Sequence, residues 1–140
     1  MKKICVLILA LLFVLSSCGE KEIKEYSIYF HPYDYVSNCE FIVSSPADLE
    51  SYHDDNRINR YTEEFFKNKS LIVVIHSFPN GGDDKDIKIK KMIVKDDTLY
   101  IDLLLYDEGF TTMVIPYILY IEISKISATK LEVTKTYHEK

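Results

Sequence analysis

Thr98-Leu99-Tyr100-Ile101-Asp102-Leu103-Leu104-Leu105-Tyr106-Asp107 is the stretch that decides the fold. Leu99, Ile101, Leu103 and Leu105 recur at every second position, the period of a strand with one buried face. Asp96-Asp97 marks a tight turn before it, and Asp107-Glu108-Gly109 stops it. Upstream, Ile87 and Ile89 alternate with Lys88 and Lys90, but the next inward residues are Met92 and Val94. The phase slips by one at Lys90-Lys91, which predicts a β-bulge that returns the apolar face to the core. Leu71 to Ile75 is a continuous β-branched run of strand length, and so a central strand. Tyr117, Leu119, Ile121 and Ile123 mark the next strand, and Leu131, Val133 and Tyr137 the last. On the N-terminal side, Tyr26 to Phe30 reads as an edge strand closed by Pro32, and Cys39 to Ser44 as a short buried one. Ser45-Pro46-Ala47-Asp48 is a helix start, with Ser45 as N-cap and Asp48 near the positive end. Leu49 and Tyr52 give that helix its apolar face, and a brief second helical turn is expected around Thr62–Lys67. The expectation is an α+β domain: a mainly antiparallel sheet of about six strands with one N-terminal-side helix.

The chain opens Met1-Lys2-Lys3 and runs apolar for the 12 residues from Ile4 to Leu15. A positive start followed by a short apolar core is the pattern of a secretory signal, and it falls short of the ~20 residues of a membrane-spanning helix. Leu15-Ser16-Ser17-Cys18 looks like a lipobox, which implies cleavage before Cys18 and acyl chains on its thiol. Residues 1–17 are then a lipoprotein signal peptide, 18–25 a charged tether, and 26–140 a single globular domain. The expected location is the cell envelope, lipid-anchored at the outer membrane or on the outer face of the cell membrane. Two or three acyl chains hold a protein firmly, since each buried methylene contributes ~0.8 kcal/mol.

Cleavage removes two of the 17 basic residues and none of the 22 acidic ones, so the net charge goes from −5 to −7. That balance argues against nucleic acid, whose phosphates demand a basic face, and leaves attachment to the lipid. Of the three cysteines, only Cys39 remains after Cys5 is discarded and Cys18 is acylated. No internal disulfide can form, so stability must come from a packed core; Cys39 reads as a small buried residue.

The sequence holds no Gly-x-Ser-x-Gly, Cys-x-x-Cys or His-Glu-x-x-His motif and no phosphate-cradling loop. No catalytic residue and no cofactor are expected. His31, His53, His76 and His138 stand far apart in sequence; His76, ending the central strand, is the one worth testing, with a structural role the better reading. Asp83, Asp84 and Asp86 could offer oxygens to calcium, although a plain solvated turn fits better, because the glycines precede the acids. They define the alternative reading, an envelope protein that binds a small ligand or calcium. Among the 11 tyrosines, Tyr100, Tyr106 and Tyr120 lie opposite the apolar faces of their strands, with Leu104 and Ile118. Such a set either lies under the helix or forms an interface, and burial is the preferred reading.

Phe41-Ile42-Val43-Ser44-Ser45 leading into Asp48-Leu49, Phe65 and Phe66 before Lys69-Ser70-Leu71-Ile72-Val73-Val74-Ile75, Asn80-Gly81-Gly82, and Pro116-Tyr117-Ile118-Leu119 follow one another in an order that resembles the C-terminal domain of the protease-complex subunit PrcB. The resemblance covers roughly residues 41–125, with Asp83-Asp84-Lys85-Asp86 standing where that family has an aromatic residue and a strand. It implies a non-catalytic protein-protein interaction or protease-complex accessory domain. The partner-binding residues it points to are Asn80, Gly81, Gly82, Pro116 and Tyr117, and the partner is another protein, a protease among the candidates.

Overall fold

The computed structural model describes residues 19–32, 38–52, 56–79, 87–107 and 114–139. Eight strands are found among them: β1 (Lys21–Glu22), β2 (Tyr26–Pro32), β3 (Cys39–Val43), β4 (Lys69–Pro79), β5 (Ile87–Lys95), β6 (Thr98–Asp107), β7 (Val114–Ser124) and β8 (Lys130–Glu139). They form two sheets and not the single sheet of about six strands expected. Sheet A has the order β1-β5-β6-β8 and sheet B the order β2-β7-β4-β3. All pairings are antiparallel except β6 with β8. That exception follows from connectivity. β7 ends at Ser124, and Thr129 and Lys130 donate to the Asp97 carbonyl beside the start of β6, so β8 sets out from the same end as β6.

The sheets pack face to face over one core. Met92, Leu99, Ile101, Leu103 and Leu105 from sheet A meet Ile72, Val74, Leu119, Ile121 and Ile123 from sheet B. The opposite face of sheet B is also covered: Val43, Leu71, Val73, Ile75, Ile118 and Tyr120 pack with Leu49, Tyr61 and Phe66. A strand buried on both faces must be apolar at successive positions, which is why Leu71 to Ile75 carries no polar residue. The clean alternation of β6 has the complementary cause, a sheet with one covered face.

Two local expectations are met in register. β5 shifts against β6 between Ile89 and Lys91, so the extra residue at Lys90 keeps both Ile89 and Met92 inward. The hairpin turn at Asp96-Asp97 places Asp96 at φ 53°, a left-handed conformation that aspartate tolerates better than most residues.

The helical part differs from expectation. The segment expected as the main helix is a 3-10 helix, Pro46–Tyr52, followed by a second one at Asn56–Arg60. The α-helix is the six-residue α1 (Glu63–Asn68), where only a brief turn was expected. At the first start, the amides of Ser44 and Ser45 donate to Asp48 Oδ2 at 2.9 and 3.0 Å, so the acid reaches back and caps the turn from within. Five apolar residues can cover sheet B from such short pieces because Leu49, Ile58, Tyr61, Phe65 and Phe66 all point one way.

The tether is a further correction. Lys21 and Glu22 pair with Val94 and Ile93, and the Ile23 amide donates to the Met92 carbonyl at 2.9 Å. The charged N-terminal run is stitched to the edge of sheet A.

Candidate functional site

Sheet B is covered by the helical segments, whereas the outer face of sheet A has no comparable layer among the described residues. Its side chains are those that alternate with the buried row. Tyr100, Asp102, Leu104 and Tyr106 of β6 are half-buried, and Ile93 of β5 stands opposite Tyr100. Lys88, Lys90, Lys91 and Lys95 border this row along β5, all exposed. Lys88 Nζ lies 5.3 Å from the centre of the Tyr106 ring, and Lys90 Nζ lies 3.7 Å from Asp102 Oδ2. On the other flank, Thr136 Oγ1 donates to Asp102 Oδ1 at 3.4 Å, and the His138 ring is 6.4 Å from Tyr106. The result is an aromatic and aliphatic strip with the Asp102 carboxylate within it, edged by lysines along β5 and with Glu132 of β8 beside Tyr100 and Glu22 of β1 beside Ile93. Rigid tyrosine on a sheet surface offers contact area at a small entropic cost.

A second polar group closes the gap between the sheets along the β3 and β8 edges. Glu40 accepts from Lys135 Nζ at 2.9 Å, and His76 Nε2 is hydrogen-bonded to the Tyr137 hydroxyl at 2.9 Å. Burial lowers the His76 pKa, and the charge of Lys135 lowers it further against the opposing pull of Glu40. The histidine is therefore neutral near pH 7. It lies within β4, three residues before the strand ends at Pro79, and not at the end of the strand as its position in the sequence implied. Its neighbours form a clasp between the two layers.

A third group lies beneath the helical layer. Glu122, 7 % exposed in the middle of an apolar strand, accepts from Arg60 and, at 3.3 Å, from Lys69. Arg60 also lies 3.8 Å over the Tyr29 ring and 4.9 Å from that of Tyr61. Burial works against the guanidinium charge, but the hydrogen bonds of Glu122 and Tyr29 outweigh it and raise the Arg60 pKa. The Tyr61 phenol is pushed up, chiefly by burial. Sequence reasoning missed this group. Its signal was present: one carboxylate inside Tyr117-Ile118-Leu119-Tyr120-Ile121-Glu122-Ile123 must find a cation to be buried there.

Two adjoining clefts of about 370 and 290 Å³ lie at the end of the sandwich where β1 begins. They share Lys24, Glu25 and Ser124 in their walls. A third, of about 320 Å³, lies between β2 and Ile87, and none of the three is lined by His76.

Of the residues singled out in the sequence, Cys18, Asn80, Gly81, Gly82, Asp83, Asp84 and Asp86 lie outside the described residues, as does His53. Pro116 and Tyr117 belong to the interior of β7, opposite Ser77 and His76, and not to a corner entering a strand. Tyr117 is 6 % exposed and stacks on Phe30 at 4.3 Å in the core between the sheets, so its ring is not part of a contact surface. Among the described residues β2 pairs with β7 from Tyr26 to Pro32, opposite Tyr117, and Pro116 has Ser77 of β4 as its partner. Cys39 is half-buried against the second core. Among the described residues no group of three or more His, Cys, Asp or Glu side chains is placed to hold a metal ion, and no helix is long and apolar enough to cross a membrane.

The fold and its surfaces define a small β-sandwich with one helically covered face and one that has no such layer among the described residues. No protein-family model, curated protein or solved structure matches the chain.

Proposed function

We propose that this protein is a lipid-anchored cell-envelope protein whose sandwich acts without catalysis, by binding another protein through the outer face of sheet A. The observation that carries the reading is the unequal covering of the two sheets. Helical segments shield sheet B, while Ile93, Tyr100, Leu104 and Tyr106 are left as a strip beside four lysines. The partner that fits is a protein with an apolar patch and an acidic border, because the β5 lysines stand out on a chain of net charge −5. The PrcB-like order of residues 41–125 supports a protease complex as the setting. The lipobox ending in Cys18 supports attachment through acyl chains.

The test compares crosslinked envelope complexes of the native chain, of Tyr100→Ser/Tyr106→Ser and of Cys18→Ser. The double tyrosine variant should stay acylated and membrane-bound but lose its crosslinked partner by tenfold or more, since aromatic anchors at an interface contribute about 2 kcal/mol or more each. Cys18→Ser should lose labelled palmitate and leave the membrane fraction. Equal crosslinking by the double variant would remove sheet A as the contact surface.

A further inference from the structure

We infer that the end of the sandwich from which Cys18 leads rests directly on the bilayer, with Tyr26 in the headgroup layer and a phospholipid phosphate held in the cleft between Lys24 and Lys69. This rests on the lipoprotein reading and adds to it an orientation and a lipid-binding site. The first argument is reach. Lys21 is fixed by its pairing with Val94, and only Gly19 and Glu20 separate it from Cys18, a distance of three residue steps. Three extended residues span about 10 Å at most. An acylated Cys18 has its chains in the membrane, so this end of sheet A cannot stand away from it. A flexible tether would have left the body free to tumble; the β1 pairing removes that freedom.

The second argument is the chemistry of that end. The cleft of about 370 Å³ is lined by Lys24, Lys69, Tyr26, Ser27 and Ser124, with Glu25 and Glu122 also in its wall. Ammonium and hydroxyl groups are the donors that a phosphate diester needs. Glu122 is also held by Arg60, so Lys69 can turn to a phosphate without leaving that carboxylate unpaired, and Lys24 exchanges its exposed contact with Glu22 for one with the phosphate; Glu25 remains in the wall as the opposing charge. The adjoining cleft of about 290 Å³ includes Ile23 and Ile126 and offers an apolar wall beside the polar one. Lipid at a bilayer surface presents the same sequence of phosphate and hydrocarbon.

The third argument is exposed apolar surface. Tyr26 and Ile28, 40 % and 37 % exposed, are two of the three large hydrophobic residues left open among the described residues. Both lie on β2, which begins at the anchor end, and Tyr26 is in the cleft wall. Tyrosine is enriched at the level of the headgroups, where its ring and hydroxyl are both satisfied.

The sequence contains no tryptophan, so a single one reports its own surroundings. Full-length acylated protein carrying Tyr26→Trp, Ile28→Trp or Tyr106→Trp is reconstituted in vesicles of phosphatidylethanolamine and phosphatidylglycerol that contain a headgroup-nitroxide lipid. Quenching should be several-fold stronger at position 26 than at 106, which lies at the far end of β6, with position 28 between them. Adding Lys24→Glu to Tyr26→Trp should at least halve the quenching. Equal quenching at 26 and 106, or insensitivity to Lys24→Glu, overturns the proposal. The mass of the purified protein separates the two readings: a chain without acyl groups ends the lipoprotein reading, while an acylated chain with unquenched position 26 ends only the orientation.

Discussion

Glu122 shows how much one charge can fix. It is the middle of a bridge in which Arg60, stacked over Tyr29, and Lys69, at the start of β4, share one buried carboxylate. Through Arg60 the bridge holds the second 3-10 segment against sheet B. Glu122→Gln preserves the shape and removes the charge that both cations face. The expected loss is about 1–3 kcal/mol, below the cost of breaking a fully buried pair. The reason for the lower figure is that the Arg60 and Lys69 side chains keep 43 % and 50 % of their exposure. Denaturant titration at pH 7 measures it, and an unchanged midpoint would class the bridge with ordinary surface ion pairs. At this scale the sequence announced that Glu122 needs a partner, but not which one, because Arg60 lies 62 residues away in the chain.

Among the elements, the bulge at Lys90 was legible because alternation breaks there and resumes. The same reasoning makes a prediction in which a deletion is nearly harmless. Removing Lys90 leaves Ile87, Ile89, Met92 and Val94 in unbroken alternation, so it should cost less than about 1 kcal/mol. Removing Tyr100 from β6, where nothing is spare, would bring Leu99 into the wrong phase and cost about 1.5–3 kcal/mol for that side chain alone. A pair of thermal unfolding curves decides it; equal losses would mean that the bulge itself is required. What alternation could not tell is which sheet a strand joins. Tyr100, Tyr106 and Tyr120 all lie opposite an apolar row, and the sequence suggested one shared face. In the fold Tyr120 is buried under the helical layer and the other two line the open face of sheet A. The difference was written in the neighbouring residues: β7 is apolar at successive positions from Tyr117 to Ile121, whereas β6 has Asp102 within its outer row. The 3-10 form of Pro46–Tyr52 was not legible, since capping and apolar spacing are common to both kinds of helix. Nor was β1, whose two exposed residues carry no apolar signal and owe their form to the free edge of β5.

Taken as a whole, the molecule is two sheets that share a core and are clasped on the β3–β8 side by Glu40 with Lys135 and His76 with Tyr137. This gives the stability a specific dependence on pH. The His76 pKa is lowered from 6.5, first by burial and then by Lys135, with Glu40 opposing. Just below pH 6.5 the unfolded chain therefore binds more protons than the folded one, and stability rises with pH there. The contribution is complete above 6.5 and is lost as pH falls towards the folded value. A charged His76 also faces the Lys135 ammonium across the clasp, so the two layers are pushed apart where they meet. Asp48 and Asp97 act lower on the scale. The Ser44 amide holds the Asp48 carboxyl below 3.8, and the Thr129 hydroxyl and amide do the same for Asp97. Their contribution is present above 3.8 and disappears as pH falls through the folded values. Acid unfolding should accordingly weaken the protein in two separate stages, one starting near 6.5 and one below 3.8. His76→Gln should flatten the melting temperature between pH 7.5 and 5.5 and leave the lower stage in place, whereas Asp48→Asn should blunt the lower stage alone. A native curve that is already flat between pH 7.5 and 5.5 would mean that His76 titrates alike in both states, and the clasp would then carry no pH dependence of its own.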